Sequence, residues 1–196
     1  MDSRTDTQLM RDVRRGDLDA LGILFRRHHA RVHGLCFRMI GSAAAADDLV
    51  QETFLRVLKY RRGFQGRSRF TTWLYRLARN VCLDQIRRDR RDAALARRAA
   101  VELVDDALPD VAWMGDERAK AMWAALQRLA PEKREALLLS RFHDLRYEEV
   151  ARICDCSVGA VRVRVHRALK ELRDALDPGV NTQWTASEPG KGSSTP

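Results

Sequence analysis

Apolar residues recur every three or four positions along most of the chain, and this spacing constrains the fold more than any other sequence feature. The first such stretch begins after Gly16-Asp17 and ends at Gly41; its apolar positions are Leu18, Leu21, Leu24, Phe25, Val32, Leu35, Cys36 and Met39. Because an α-helix turns once in 3.6 residues, these side chains share one helical face. A composition rich in Ala, Leu and Arg, with only 11 Gly and 5 Pro, also favours helix. The sequence therefore predicts an all-α fold.

Two further helices are predicted to complete an N-terminal bundle over residues 9–91. Ser42 is placed to cap the second helix, whose apolar positions are Val50, Phe54, Val57 and Leu58. The segment RRGFQGRSRF, residues 61–70, combines two glycines, a serine and four arginines and is typical of a loop. The third helix follows this loop, and the positions expected to face the core are Leu74, Leu77, Ala78 and Val81.

Residues 92–117 lose the helical periodicity, and Pro109 and Gly115 would break a helix there. These residues carry 2 Lys/Arg against 7 Asp/Glu, so we expect a flexible acidic linker. A second helical unit is predicted over residues 118–176, with Pro131 in the first turn of one helix. Residues 177–196 are rich in Gly, Ser, Thr and Pro and are predicted to form a disordered tail.

Positive charge is concentrated on both sides of the acidic segment. Residues 1–91 carry 20 Lys/Arg against 10 Asp/Glu, residues 118–176 carry 13 against 8, and the whole chain has a net charge of +9. Two basic blocks indicate a polyanionic partner, most often nucleic acid. The alternative is a solvated helical surface that uses arginine.

The segment YEEVARICDCSVGAVRVRVHRALKEL, residues 147–172, has the pattern of a helix-turn-helix. Ala151 provides a small side chain at the helix crossing, Asp155 falls where the backbone often turns left-handed, and Ser157 can cap the second helix. The inward positions of that helix are Val161, Val165, Leu169, Leu172 and Leu176; the opposite face carries Arg162, Val163, His166, Arg167 and Lys170. Such a helix lies in the DNA major groove. The alternative is an ordinary helical hairpin with an arginine-rich solvent face.

The third helix and the loop before it combine aromatic rings with arginines. The aromatic residues are Phe64, Phe70, Trp73 and Tyr75, and the arginines are Arg67, Arg69, Arg76, Arg79, Arg87 and Arg88. Rings can replace the stacking that an unpaired base has lost, and Asn80 can donate to and accept from a base edge. This combination predicts capture of opened, single-stranded DNA. Alternatively, Phe70 and Trp73 are core residues.

Three segments, in this order, resemble an extracytoplasmic-function (ECF) RNA polymerase sigma factor of the sigma-70 family. DDLVQETFLRVL resembles its polymerase-binding helix, FQGRSRFTTWLYRLARNVCLDQIRR the part that melts and reads the −10 element, and LAPEKREALLLSRFHDLRYEEVARICDCSVGAVRVRVHRALKEL the −35-reading region four. The resemblance covers residues 9–176. It implies a region-two bundle (9–91), a linker (92–117) and a region-four helix-turn-helix (118–176).

The resemblance also implies partners and roles. Core RNA polymerase would be contacted at its β′ clamp helices and β flap, and promoter DNA would be duplex at −35 and single-stranded at −10. An anti-sigma factor is a further expected partner, and neither catalysis nor a cofactor is implied. The implied polymerase-binding residues are Asp47, Asp48, Gln51 and Glu52. The implied −10 residues are Phe64, Arg67, Arg69, Phe70, Trp73, Arg76 and Asn80, and the implied −35 residues are Arg162, Val163, His166, Arg167 and Lys170.

Two departures from the family pattern concern the recognition helix. Relatives usually carry Thr and Ser where this chain has Ala160 and Val163, which removes two hydroxyl groups from the −35 reader. The turn before it has Asp155 where glycine is frequent. The −35 sequence preference is therefore open.

Other functional classes fit the sequence less well. None of the five histidines has an acidic partner at a convincing catalytic spacing, and no glycine-rich phosphate loop is present. Cys154 and Cys156, with His143 or His166, could ligate zinc, but a CxC lacks the usual paired spacing. A conventional activator or repressor would explain only the helix-turn-helix. The scattered cysteines and the lack of a long apolar run or signal peptide predict a cytoplasmic protein without membrane insertion.

Overall fold

A computed structural model describes residues 2–98, 116–143 and 145–176, and these residues form helices without a strand among them. The first four are α1 (Asp6–Arg15), α2 (Leu18–Ile40), α3 (Ala43–Lys59) and α4 (Phe70–Arg98), with a short 3-10 turn at Arg61–Gly63. The other four are α5 (Glu117–Arg128), α6 (Pro131–Phe142), α7 (Tyr147–Cys154) and α8 (Val158–Leu176). The all-α prediction is confirmed. We refer to α1–α4 as the N-terminal unit and α5–α8 as the C-terminal unit.

The helix ends follow the local sequence signals. Asp17 caps α2 through the Ala20 amide, and Ser42 caps α3 through the Ala45 amide, as predicted. Gly16 and Gly41 end α1 and α2 with φ of +104° and +93°, a conformation that costs glycine little. The capped ends satisfy backbone groups that a helix terminus otherwise leaves unpaired.

Each unit is built around the apolar stripes that the sequence predicts. In the N-terminal unit Leu24, Leu35, Leu74 and Val81 are fully or almost fully buried, and α1 contributes a further buried set of Leu9, Met10 and Val13. In the C-terminal unit the core includes Leu138, Leu139, Ile153, Val161 and Ala168. Leu176, predicted to face inward, is 36% exposed at the last described residue of α8.

The boundary between bundle and linker differs from the prediction. Residues 92–98, predicted as part of the linker, continue α4 to Arg98. Residues 92–95 are exposed, Leu95 by 61%, and the segment DAALARR is rich in Ala, Leu and Arg, whose high intrinsic helix propensity favours extension of the helix. At the other end of the predicted linker, Asp116 caps α5, which begins at Glu117. Residues 99–115 and the predicted tail, 177–196, lie outside the described residues.

The tight turn between α7 and α8 rests on one left-handed residue. Asp155 has φ +52° and ψ +53°, and the amide of Cys156 donates to the Ala151 carbonyl at 3.0 Å. The short polar side chain of Asp makes this conformation tolerable, whereas β-branched residues resist it.

We therefore expect Asp155→Val to lower the free energy of unfolding by about 1–2 kcal/mol, because a left-handed backbone strains a β-branched residue. Asp155→Asn serves as the matched control and is expected to have little effect, since Asn also tolerates this conformation. Urea unfolding measures both variants. Equal stability of the valine and asparagine variants would show that the turn does not constrain this residue.

Candidate nucleic-acid interface

The recognition helix α8 presents the predicted basic face to solvent. The Oγ of Ser157 accepts from the Ala160 amide at 3.1 Å and fixes the start of the helix, as predicted. The five predicted −35 residues share one exposed face: Arg162, Val163, His166, Arg167 and Lys170. Val163 alone among them is apolar and is 48% exposed. The C-terminal unit leaves this face uncovered.

Arg164 differs from its neighbours on α8 because it turns inward. One of its Nη atoms lies 3.7 Å from Oε1 of Glu135 and 3.6 Å from the sulfur of Cys156. Sequence alternation in VRVRVHR gave no sign of this difference. Arg164 therefore contacts the interior of the protein and stabilises α8, whereas Arg162 and Arg167 remain exposed and available to a ligand.

The predicted polymerase-docking residues lie along one side of α3. Asp47, Asp48 and Gln51 are exposed, while Glu52 is partly covered and accepts from Arg56 Nε at 2.8 Å. Leu55 is 60% exposed and lies one and two turns beyond Gln51 and Asp48 on the same face. Sequence analysis missed Leu55, although its spacing from these two residues could have identified it. The surface is thus a row of polar groups that ends in an exposed leucine.

The aromatic residues near the loop come together, but in the core. Phe64 and Phe70 are 4% and 2% exposed, with ring centroids 5.9 Å apart in an edge-to-face arrangement. Trp73 packs against Phe64 at 5.4 Å and is half-buried. The core alternative therefore describes Phe70 in this conformation, and the ring of Phe64 is covered rather than open to a base. Base capture at Phe64 requires the loop to move.

The polar residues predicted to contact the opened strand are more accessible. Arg67, Arg69 and Arg76 are exposed. Asn80 is half-buried, and its Oδ1 accepts from Nη1 of Arg79 at 3.3 Å. A ligand that binds the amide of Asn80 therefore has to compete with this arginine.

The C-terminal unit packs directly on α4 through a buried ion pair. Arg79 donates twice to Glu135 of α6, from Nε to Oε2 at 2.7 Å and from Nη2 to Oε1 at 3.0 Å. The Glu135 side chain is 1% exposed, and Arg164 approaches it from the other side. Burial by itself would lower the pKa of Arg79, yet that pKa is raised because the Glu135 carboxylate accepts its hydrogen bonds. The pair links the two units through these two hydrogen bonds.

Further contacts extend this interface along α4. Tyr75 is 3% exposed and its hydroxyl lies 3.0 Å from Nδ1 of His143, while Thr72 donates to Glu149 of α7 at 3.5 Å. Thr72, Tyr75 and Arg79 recur at helical spacing, so they occupy one face of α4. The C-terminal unit covers this face, which lies beside Asn80.

A second group of contacts joins α2 to the C-terminal unit. The ring of Phe37 stacks on Trp123 of α5 at 4.5 Å. Gln127 donates to the carbonyl of Arg38 at 3.1 Å, and the guanidinium of Arg134 donates to the carbonyl of Met39. Burial lowers the pKa of Arg134 to about 10, with a smaller contribution from the positive charge of Arg90. In these contacts, side chains of the C-terminal unit donate hydrogen bonds to carbonyl groups at the C-terminal end of α2.

The cysteines of the described residues are all free thiols. Burial raises the pKa of the Cys154 thiol, and a hydrogen bond with Cys36 together with burial raises that of Cys82. Among residues 2–98, 116–143 and 145–176, no group of three or more His, Cys, Asp or Glu side chains is arranged to hold a metal ion. Within the same ranges, no helix has the length and apolar composition needed to span a bilayer.

Comparison with known families assigns both units. Residues 24–92 match the model of Sigma-70 region 2, and residues 119–172 match that of Sigma-70, region 4. The chain is 36% identical over 167 residues to the RNA polymerase sigma factor CarQ of Myxococcus xanthus, covering 85% of this chain and 95% of CarQ. It is 30% identical to the ECF RNA polymerase sigma factor SigW of Bacillus subtilis, covering 85% of this chain and 94% of SigW.

Solved structures with the same fold include two protein complexes. The sigma factor RpoE, crystallised with the anti-sigma factor NepR from Bartonella quintana, superposes with a TM-score of 0.64 at 22% identity, over 81% of this chain and 98% of that one. CnrH, solved in complex with the cytosolic domain of CnrY, gives a TM-score of 0.65 at 22% identity, over 89% and 99%. At this level of identity the likeness establishes the fold.

Proposed function

The chain belongs to the ECF group of the sigma-70 family, whose members are transcription initiation factors and not enzymes, and on that premise we propose that it directs core RNA polymerase to promoters. In this proposal α3 binds the polymerase, α8 reads the −35 element, and α4 with its preceding loop melts and reads the −10 element. The observation that carries the proposal is the presence in one chain of an exposed basic recognition helix and a separate arginine-rich helix beside an aromatic cluster. The protein would act in the cytoplasm, together with polymerase.

Recognition at −35 follows from the exposed face of α8. Arg162 and Arg167 can each pair with a guanine edge or a phosphate, and Lys170 can contact a phosphate. Val163 offers a methyl surface to the C5-methyl of thymine. With Ala160 and Val163 in place of hydroxyl-bearing residues, we expect the preference to depend more on arginine and methyl contacts than on hydroxyl hydrogen bonds.

Docking on polymerase would use the exposed side of α3. Asp47, Asp48, Gln51 and Glu52 supply carboxylates and an amide for the β′ clamp helices, and Leu55 supplies an apolar contact at the same surface. An apolar side chain surrounded by polar groups is the usual composition of a protein interface. The C-terminal unit would contact the β flap.

Melting at −10 needs no hydrolysis, because binding of the displaced strand offsets the lost base stacking. An aromatic contact stabilises each captured base by about 1–3 kcal/mol. Phe64 would supply this contact once the loop has moved away from the aromatic cluster, and Arg67, Arg69, Arg76 and Asn80 would hold the strand beside it. Trp73, which is half-buried, is the next ring along α4.

Engagement of both promoter elements requires the two units to separate. The −35 and −10 elements are about 25 base pairs apart, or roughly 85 Å at 3.4 Å per base pair. In this structure α6 and α7 contact α4 directly through Glu135, His143 and Glu149. The packed arrangement is therefore that of the free chain, and polymerase binding must replace its contacts.

We also propose an anti-sigma factor as a regulatory partner. RpoE and CnrH, which share this fold, were each solved in complex with another protein, and in the case of RpoE that protein is named as an anti-sigma factor. A protein that binds one or both units could hold them away from polymerase. Purification from the native organism tests this, and recovery of polymerase alone would count against such a partner.

Run-off transcription with purified core polymerase and a promoter library tests the proposed function. We expect transcripts from a subset of promoters that core polymerase alone does not transcribe. Transcription no higher than the core-only background would defeat the proposal. Tight binding of the chain to duplex DNA without polymerase would favour a conventional activator or repressor instead.

We expect Asn80→Ala and Arg167→Ala to affect different steps. Asn80→Ala should reduce promoter opening more than closed-complex binding, because Asn80 lies on α4, the proposed −10 reader, and not on α8. Arg167→Ala should weaken −35 recognition by about 1–3 kcal/mol, or roughly 5- to 150-fold in affinity. Band shifts of holoenzyme on duplex promoter and on a pre-opened promoter separate the two steps. Equal effects of both variants on duplex binding would refute this division of roles.

A further inference from the structure

Among the residues that the structure describes, four arginines line a groove between α1 and the 3-10 turn that precedes the loop. It encloses about 460 Å³, and its walls are Arg11, Arg14, Arg15 and Arg62. Three of these side chains come from α1 and the fourth from the turn. Four guanidinium groups around one space repel each other unless an anion lies between them.

The four groove arginines have few carboxylates close to them. Across the described residues, no carboxylate lies within 4 Å of a guanidinium nitrogen of Arg11, Arg14 or Arg62, and Arg15 reaches Asp12 only at 3.9 Å. The Asp12 carboxylate is itself bound by Arg4 at 2.9 Å. In contrast, three other arginines form short ion pairs. Arg27 pairs with Asp6 at 3.0 Å, Arg56 with Glu52 at 2.8 Å, and Arg79 with Glu135 at 2.7 Å. The groove thus has a local excess of positive charge that the protein does not neutralise.

The groove is joined to the loop that we propose captures the opened strand. Nη1 of Arg14 donates to the carbonyl of Phe64 at 3.3 Å. Gly66, which has φ +71°, lies close to the methyl of Thr7 in α1. Because α1 supports the loop from one side, a strand that leaves the loop on that side would pass over Arg11 and Arg62.

We propose that this arginine groove binds backbone phosphates of the displaced DNA strand, next to the base held by the loop. The inference rests on the proposed function, and it extends the strand-binding surface from α4 to α1. Guanidinium groups form paired hydrogen bonds with phosphate oxygens, which makes arginine well suited to this ligand. Backbone phosphates are the same at every position of the strand, so contacts to them would position the strand without adding sequence preference.

The double variant Arg11→Gln/Arg62→Gln tests the groove. Arg14 is left in place because its hydrogen bond supports the loop. The matched control is Arg26→Gln/Arg118→Gln, which removes the same charge from two exposed arginines that line neither the groove nor a proposed site. Holoenzyme with each variant is placed on a promoter that wild-type holoenzyme opens, and the half-life of the open complex is measured across a range of salt concentrations.

We expect the groove variant to shorten the open-complex half-life roughly tenfold, while duplex binding at −35 stays unchanged. The affinity of holoenzyme for the promoter should depend less steeply on salt. The slope of log affinity against log salt concentration should fall in magnitude by about 1.4, since each of the two lost single-strand phosphate contacts contributes about 0.7. The control should match wild type. A groove variant that behaves like the control would overturn the groove proposal and leave the proposed function intact. If wild-type holoenzyme opens no promoter, the proposed function fails and the groove proposal fails with it.

Discussion

Replacement of Glu135 by alanine is expected to lower the free energy of unfolding by about 3–5 kcal/mol. The carboxylate is 1% exposed, accepts two hydrogen bonds from Arg79 and lies 3.7 Å from Arg164. Without it, two guanidinium groups would face each other in a space that water reaches poorly. The cost arises from leaving charges buried and unpaired, and it exceeds the net contribution of the intact ion pair.

Urea unfolding of the full chain measures this effect, and two other variants define its cause. Glu132→Ala removes an exposed carboxylate from the same helix and should change stability by less than about 0.5 kcal/mol. Glu135→Gln keeps a hydrogen-bond acceptor but not the charge, and should be intermediate. If Glu135→Ala were as stable as Glu132→Ala, the two units would not be joined through this ion pair.

The second large effect concerns the distance between the two units. Fluorophores at the exposed residues Lys59 and Arg118, neither of which is a proposed DNA-binding residue, report on the N-terminal and C-terminal units respectively. In the free chain both labels lie on one packed body, which for a chain of this length is roughly 50 Å across. In the promoter complex the two readers would be roughly 85 Å apart along the DNA. Energy transfer is therefore expected to be substantial in the free chain and to fall close to zero in the complex.

A label pair within the N-terminal unit, at Arg26 and Lys59, serves as the control and should not change. The addition of core polymerase without DNA tests whether polymerase alone separates the units, and we expect most of the change at this step. Unchanged transfer between Lys59 and Arg118 in the open complex would contradict separation of the units.

Most of the fold could be predicted because its determinants are local. Helical periodicity identified α2, α3, α4 and α8, and short-range signals at Ser42, Pro131, Asp155 and Ser157 placed helix ends and the tight turn. The extension of α4 to Arg98 was missed because propensity, without an apolar stripe, maintains that part of the helix. The burial of α1 was also not anticipated, although Leu9, Met10 and Val13 have helical spacing.

The exposure of the candidate-site residues could be predicted from the sequence where helical periodicity alone determines it. The basic face of α8 and the polar side of α3 follow from periodicity, since residues opposite the buried stripe must face solvent. The positions of Phe64 and Glu135 could not be inferred in this way. Phe64 stands in a polar loop but packs on residues 70 and 73, and Glu135 pairs with an arginine 56 residues away. Long-range contacts of this kind leave no mark on local spacing.

The arginine groove illustrates the same limit. Arg11, Arg14 and Arg15 are close in sequence and share the exposed side of α1, but Arg62 reaches them only through the packing of the 3-10 turn against that helix. Composition indicated a basic protein, whereas the structure indicates which arginines are already paired with carboxylates. Arginines that pair with carboxylates stabilise the fold, whereas unpaired arginines are the candidates for DNA binding.

The central claim is that one unit of this protein holds unpaired bases while the other holds duplex DNA. Permanganate footprinting of the complete polymerase on a cognate promoter tests this claim most directly. Permanganate oxidises thymines that have lost their stacking. We predict reactive thymines at the −10 element, protection of the duplex at −35, and loss of the reactive thymines with Asn80→Ala. A promoter that is transcribed from this protein's holoenzyme but shows no reactive thymine near its start site would contradict strand capture by α4 and its loop.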